Sequence, residues 1–199
     1  MQKIAAVLAD GKPASSIMTE ENKAEIRRLQ LLTSKPFFFI CNVKEKDLKE
    51  GNHYSDQVKA FAASRGQEAL VISAQIEAEI ADLPEEEREE FLQLLDLEET
   101  GLDKVVNSGY KLLDLITFFT VGPQEARAWS VRKGALAPEA AGKIHSDFER
   151  GFICADVISF ENFRALGGWT KAKEAGKVEV QGKNYLMKDG DLVLFKFNV

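Results

Sequence analysis

The amino-acid sequence predicts two modules: an α/β unit with parallel strands, followed by a small mixed-sheet α+β unit of the β-grasp type. Three observations carry this reading. Over the first 116 residues, short continuous apolar runs alternate with amphipathic helical patterns, as strands buried in a parallel sheet require. After residue 116 the texture changes to short alternating strands punctuated by glycine turns. Charge changes with it: residues 1–116 hold 14 Lys+Arg and 22 Asp+Glu, whereas residues 117–199 hold 12 and 10. An acidic half followed by a weakly basic one argues for separate modules.

The elements follow in order. Residues 1–12 read as a helix stopped by Gly11, with Pro13 following. In "MTEENKAEIRRLQLLTSKP", Thr19 is expected to cap a helix whose acidic first turn suits the positive dipole end. Ile26, Leu29 and Leu32 are its expected inward residues. "PFFFIC", residues 36–41, is expected to be a strand buried on both faces. Residues 54–65 predict a helix with Val58, Phe61 and Ala62 inward, stopped by Gly66. Ala69 to Ser73 predict a second strand. A strand, helix, strand unit implies parallel strands.

Pro84 opens a helix whose Glu85, Glu86 and Glu87 lie at its positive end, so this charge run is a solvated helix start. "TGLDKVVNSGYKLLDL" predicts a further helix burying Leu102, Val105, Val106 and Leu112. "ITFFTVG" and "EARAWSVRKG" predict a hairpin. Residues 137–150 predict one helix with Ile144 and Phe148 on one side. "FICADVISF" predicts a strand, and the last 23 residues predict strands with turns at Gly182-Lys183-Asn184 and Asp189-Gly190.

Several functions are excluded or left unsupported. No run approaches the roughly 20 apolar residues of a membrane helix. "MQKIAAVLADGKP" is interrupted by Asp10 too early for a signal peptide, so the expectation is a cytoplasmic chain without a membrane partner. Cys41 and Cys154 are far apart with no CxxC, and His53 and His145 lack ligand spacing, so no disulfide framework or metal site is expected. No Ser-His-Asp or Cys-His constellation stands out, and no catalytic residue is assigned.

The chemistry concentrates at strand ends. In open parallel sheets, ligands sit beyond the carboxyl ends of strands. Asn42 and Glu45 follow the first strand, and Ser73, Ala74 and Gln75 follow the second. An Asn side chain both donates and accepts. It is therefore suited to a purine edge, or to tying two loops together. The plainer alternative makes Asn42 and Glu45 turn and cap residues.

"NVKE" after one buried strand and "SAQIEAEIADL" after the next resemble the base-recognition loops of the YchF family of Obg-related P-loop ATPases and GTPases. "LQLLTSKPFFFICNVKE", "FFTVGPQEARAWSVRKG", "IHSDFERGFICADVISF" and "VQGKNYLMKDGDLVLFKFNV" resemble the same family, in order, to the last residue. The resemblance implies the later part of a P-loop NTPase G domain followed by a β-grasp TGS domain. It implies 1–34 as the end of a helical insertion, 35–116 as the C-terminal part of the G domain, and 117–199 as TGS. It implies a nucleotide-binding, ATP-preferring hydrolase that uses ATP or GTP with Mg²⁺ in full-length members and partners the ribosome or RNA through TGS. GTPases in general carry Asn-Lys-x-Asp where this chain has Asn42-Val43-Lys44-Glu45. A closely placed carboxylate would repel adenine N1, an acceptor, and the family's Asn-x-x-Glu, with the longer Glu in place of Asp and the Lys dropped, removes the guanine-specific fit. By this resemblance Asn42, Val43, Glu45, Ser73, Ala74 and Gln75 flank the base. Arg127, Arg132, Lys133, Lys143 and Arg150 are candidate RNA or ribosome contacts, and Trp169 is a candidate exposed aromatic.

A P-loop, GxxxxGK[ST], is absent: Gly11-Lys12, Gly142-Lys143, Gly176-Lys177 and Gly182-Lys183 all lack the upstream Gly and following Ser/Thr. The chain is thus expected to resemble the family's C-terminal half and not to hydrolyse ATP alone. Its strands would leave an exposed sheet edge, either disordered or paired with another copy. Two readings stand: the base-binding half of a YchF-like protein, and a stand-alone TGS-type RNA- or ribosome-binding module without hydrolysis.

Overall fold

A computed structural model describes residues 2–122 and 124–198. The chain divides into two compact units, Met1–Leu112 and Leu113–Val199. That division precedes the texture boundary at 116, because Leu115 and Ile116 already open the first strand of the second unit.

The first unit begins with helices α1 (Gln2–Ala9) and α2 (Lys23–Arg28). Thr19 does not cap α2. Asn22 occupies that position, and its Oδ1 instead accepts from the Thr19 N–H at 2.7 Å. Of the three expected inward residues only Ile26 is buried; Leu29 is 37% and Leu32 80% exposed.

Strand β1 (Phe39–Asn42), helix α3 (His53–Ser64) and strand β2 (Ala69–Ile72) form the expected unit, with β1 and β2 parallel and Phe39 opposite Ala69. Asn52 caps α3 reciprocally with Ser55, leaving two otherwise orphaned amides paired. Strand β1 is shorter than 36–41 and is not buried on both faces, since Ile40 is half exposed and Cys41 buried. A continuous apolar run cannot distinguish a strand covered on two faces from one covered on one.

Helices α4 (Ala74–Asp82), α5 (Glu85–Leu94) and α6 (Gly101–Leu113) complete the unit. Ile76 and Ile80, one turn apart, bury α4. On α6 the expected inward residues Leu102, Val106 and Leu112 are exposed, and the buried positions are Gly101 and Ser108. Its hydrophobic stripe is present in sequence but faces outward within this unit.

The second unit is a five-stranded sheet packed on a helix. Its elements are β3 (Leu115–Val121), β4 (Ala126–Arg132), α7 (Ala137–Ile144), α8 (Ser146–Arg150) and β5 (Phe152–Ser159). Then come α9 (Phe160–Leu166), α10 (Trp169–Glu174), β6 (Glu179–Gln181) and β7 (Asp191–Phe197). The strand order is β4-β3-β7-β5-β6, with β3 and β7 parallel and the other pairs antiparallel. First and last strands side by side in parallel, flanked by antiparallel pairs, is the β-grasp arrangement expected from the sequence.

The segment 137–150 is two helices, not one. The backbone of His145 is extended between them, and its Nδ1 caps α8 by accepting from the Asp147 N–H at 3.2 Å. Ala137, Ala140 and Ala141 are fully buried, so small side chains let α7 sit close against the sheet. Phe118 lies at the centre, edge-on to Phe195 with ring centroids 5.9 Å apart. Gly151 is required where the chain end returns: a Cβ there would fall 2.2 Å from the Asn198 carbonyl oxygen. Trp169 is not a free surface aromatic. It packs on Phe163 and donates from Nε1 to the Val121 carbonyl at 3.2 Å. No helix among the described residues is long and apolar enough to cross a membrane.

Candidate binding loops and a basic concavity

Two loops leave the carboxyl ends of β1 and β2 side by side because those strands pair in register, Asn42 opposite Ile72. Asn42 Oδ1 accepts from the Ala74 N–H at 3.0 Å, and the Val43 N–H donates to the Ile72 carbonyl at 2.9 Å. The Asn side chain therefore joins the loops through its acceptor oxygen. Its Nδ2 has no described partner. Ser73 is 1% exposed, and its Oγ has no hydrogen-bond partner among the described residues. Buried hydroxyls are ordinarily paired, so this one is an exception at the candidate site.

Val43 is half-buried; Glu45 is exposed and opens a single 3₁₀ turn, Glu45–Asp47. Gln75 turns along its own helix and donates from Nε2 to Glu79 Oε1 at 3.1 Å. Of the six base-loop candidates, the structure thus brings Asn42, Val43, Ser73 and Ala74 into one junction. Glu45 and Gln75 stand at its margins.

The five basic candidates separate. Arg132, at the end of β4, Lys133 in the following turn and Lys143 in the last turn of α7 line one concavity of about 490 Å³, together with Glu139 and Glu149. Arg127 lies five residues back along β4, about 17 Å at the usual strand rise. It pairs with Glu125 at 3.8 Å and covers the Trp129 ring at 4.5 Å. Arg150 pairs with Asp147 at 2.7 Å. Carboxylates on Arg127 and Arg150 offset the charge each would offer a phosphate.

Sequence reasoning missed three features. Glu77 of α4 accepts from two backbone amides of α6. Asp156, on β5, is buried between Lys196 at 2.6 Å and Lys173 at 3.3 Å. Burial pushes its carboxyl up, and the two ammonium groups outweigh this and hold it below the ordinary range. Asp191 accepts from the Tyr185 hydroxyl and the Lys188 N–H, both at 2.9 Å, and burial raises its carboxyl above the usual range. No group of three or more His, Cys, Asp or Glu among the described residues is arranged to hold a metal ion.

Comparison with known proteins places the chain. Residues 115–198 match the family model YchF-GTPase_C, described as a protein of unknown function (DUF933). The chain is 53% identical over 182 residues to the ribosome-binding ATPase YchF of Escherichia coli O157:H7, covering 92% of this chain and 50% of that protein. It is 46% identical to the protein of the same name from Bacillus subtilis (strain 168), over all of this chain and 55% of that one. With Obg-like ATPase 1 of Pongo abelii it shares 40% identity, over all of this chain and 51% of the relative. The solved structure of the Schizosaccharomyces pombe YchF GTPase superposes with a TM-score of 0.81 at 32% identity, over 98% of this chain and 53% of that one. The chain spans about half the length of the curated relatives it matches. In sequence and in fold alike, it belongs to the YchF family.

Proposed function

We propose that this chain supplies the purine-contacting loops of a YchF-like, ATP-preferring nucleotide-binding protein, followed by a TGS-type β-grasp domain that contacts the ribosome or RNA. The observation that carries the first part is the Asn42 Oδ1 to Ala74 N–H bond. It holds two loops together beyond the strand ends, where open α/β sheets bind ligands. The Asn42 side-chain amide also carries an Nδ2 donor, a type suited to a purine acceptor. Val43 and the Ser73–Ala74 turn lie beside Asn42 in the same junction, and Glu45 stands at its margin. ATP and GTP remain the two candidate ligands, and the relatives named as ATPases support the first.

The sequence carries no GxxxxGK[ST] motif to hold a triphosphate, so turnover is not assigned to these residues. Phosphoryl transfer rests on phosphate positioning and metal. For the second part, Arg132, Lys133 and Lys143 gather around one concavity, where they outnumber its two carboxylates, Glu139 and Glu149, and could meet a phosphate backbone. Relatives named ribosome-binding support a cytoplasmic ribosomal partner. The division into insertion end (1–34), G-domain part (35–116) and TGS (117–199) is part of the same proposal. A stand-alone RNA- or ribosome-binding module is the second reading, favoured by that concavity alone.

Calorimetric titration with ATP and GTP, with and without Mg²⁺, separates the two. We expect weak purine binding, with a Kd on the order of 1 mM because only base contacts are present, equivalent to about −4 kcal/mol. Asn42→Ala should abolish it. No heat with either nucleotide, alongside salt-dependent RNA binding lost in Lys133→Ala/Lys143→Ala, would leave the module reading standing.

A further inference from the structure

Glu77 lies one turn into α4, in the loop-and-helix segment that follows β2, and the base-binding reading gives it no role. Both of its oxygens are engaged. Oε1 accepts from the Gly101 N–H at 2.7 Å and Oε2 from the Leu102 N–H at 2.9 Å. These are the first two amides of α6, 24 and 25 residues away.

Helix α6 already carries a cap of its own. Thr100 Oγ1 accepts from the Asp103 N–H at 2.9 Å, and Asp103 Oδ2 accepts from the Thr100 N–H at 3.2 Å. Glu77 therefore takes the two amides this local cap leaves over. A carboxylate there also meets the positive end of the helix dipole, and its bonds are charge-assisted. The contact is made possible by the absence of a side chain: a Cβ on Gly101 would lie 2.7 Å from Glu77 Oε1 and 2.9 Å from Ile72 Cγ2.

The other side of Glu77 leads to the base loop. Its own N–H donates to the Ser73 carbonyl at 3.0 Å, and the Ala74 N–H donates to Asn42 Oδ1. A continuous series of bonds thus runs from Asn42 through Ala74, Ser73 and Glu77 to the N-terminus of α6. Sliding α4 along its axis would break both ends together.

We propose that Glu77 is a positioning residue. By locking α4 to the start of α6 it fixes Ser73, Ala74 and Gln75 at their distance from Asn42, and so sets how selectively a purine is held. The selectivity part rests on the base-binding reading above; the positioning part does not.

Residue-resolved amide exchange on this chain, paired with ATP and GTP titrations, tests both parts. Glu77→Gln keeps the shape and one acceptor but loses the charge and one bond. It should speed exchange at Gly101 and Leu102, and also at Ala74, whose acceptor is untouched, by about tenfold. The ATP-to-GTP affinity ratio should move towards one. Gly101→Ala, which displaces an unaltered Glu77, should reproduce the Ala74 effect. Faster exchange at Gly101 and Leu102 with Ala74 unchanged would reduce Glu77 to a helix cap and overturn the proposal. Faster Ala74 exchange with an unchanged purine ratio would uphold the positioning part and overturn the selectivity part. If the wild type binds neither nucleotide, the base reading falls. Ala74 exchange then still decides whether Glu77 positions the loop.

Discussion

Asp156 is 2% exposed, yet its two oxygens face two different ammonium groups, each on a side chain about half in water. Burying a carboxylate costs free energy unless charge and hydrogen bonds offset it, and here they do. Its folded-state value lies below the ordinary one, so its stabilisation is present above the usual Asp range and fades as pH falls through the folded value. Asp156→Asn should cost about 1–3 kcal/mol near neutral pH, the range for bonds to charged groups. Urea unfolding across a pH series should show the cost shrinking below about pH 4, the ordinary Asp value. A pH-independent cost would mean that shape, not charge, matters at this position. Asp191 has the opposite sign: its raised value makes stability fall as pH rises through the carboxylate range. Neither acid was legible in the sequence. The Asp156 partners lie 17 and 40 residues away, so the β5–β7 register and the approach of α10 create the cluster. Asn42 and Ser73–Gln75 were legible because each closes an apolar run, and strand ends can be read locally. Glu77 was not, because its meaning depends on where α6 begins.

At the scale of elements, the second unit rests on close approach between α7 and the sheet. Ala137, Ala140 and Ala141 are completely buried at i, i+3 and i+4 spacing. Ala140→Leu forces extra volume into a packed contact and should destabilise this unit by about 1–3 kcal/mol. A loss below a few tenths of a kcal/mol in urea unfolding would mean that α7 yields without cost. Strands and helices were largely legible because period-2 and period-3.6 patterns are local. Helix faces were less so: the stripe of Leu102, Val106 and Leu112 predicts a buried side that α6 leaves exposed. Periodicity says which residues share a face, and only the neighbouring elements decide whether that face is covered. Helix ends failed for a related reason. Thr19 and Asn22 are both caps, Asn the stronger by intrinsic preference, and the fold starts the helix at Asn22, whose side chain binds the Thr19 amide. The break at His145 is likewise made by a side chain capping the next helix, within a stretch that reads as one continuous helical pattern.

For the molecule as a whole, the two units differ in how much they bury. Among the described residues, both clusters of contiguous buried side chains lie between Ile116 and Phe195. The first unit is built on a two-stranded sheet, which is marginal in water without further cover. It also leaves Ile40, Phe61, Leu94, Leu102 and Val106 exposed, so its apolar burial per residue is smaller. The first unit should therefore unfold before the second. The chain carries probes that separate them. Both tryptophans, Trp129 and Trp169, are in the second unit, anchored through Nε1 to Thr120 and Val121. Helices α1 to α6 all begin in the first unit. In urea, helical circular dichroism should fall at a lower midpoint than tryptophan fluorescence, so that a single two-state transition does not describe the chain. Ala140→Leu should move the fluorescence midpoint and leave the early helical loss where it is. Coincident midpoints, shifted together by that one substitution, would mean that the units are energetically one body. The exposed face of α6 would then need a covering within this chain.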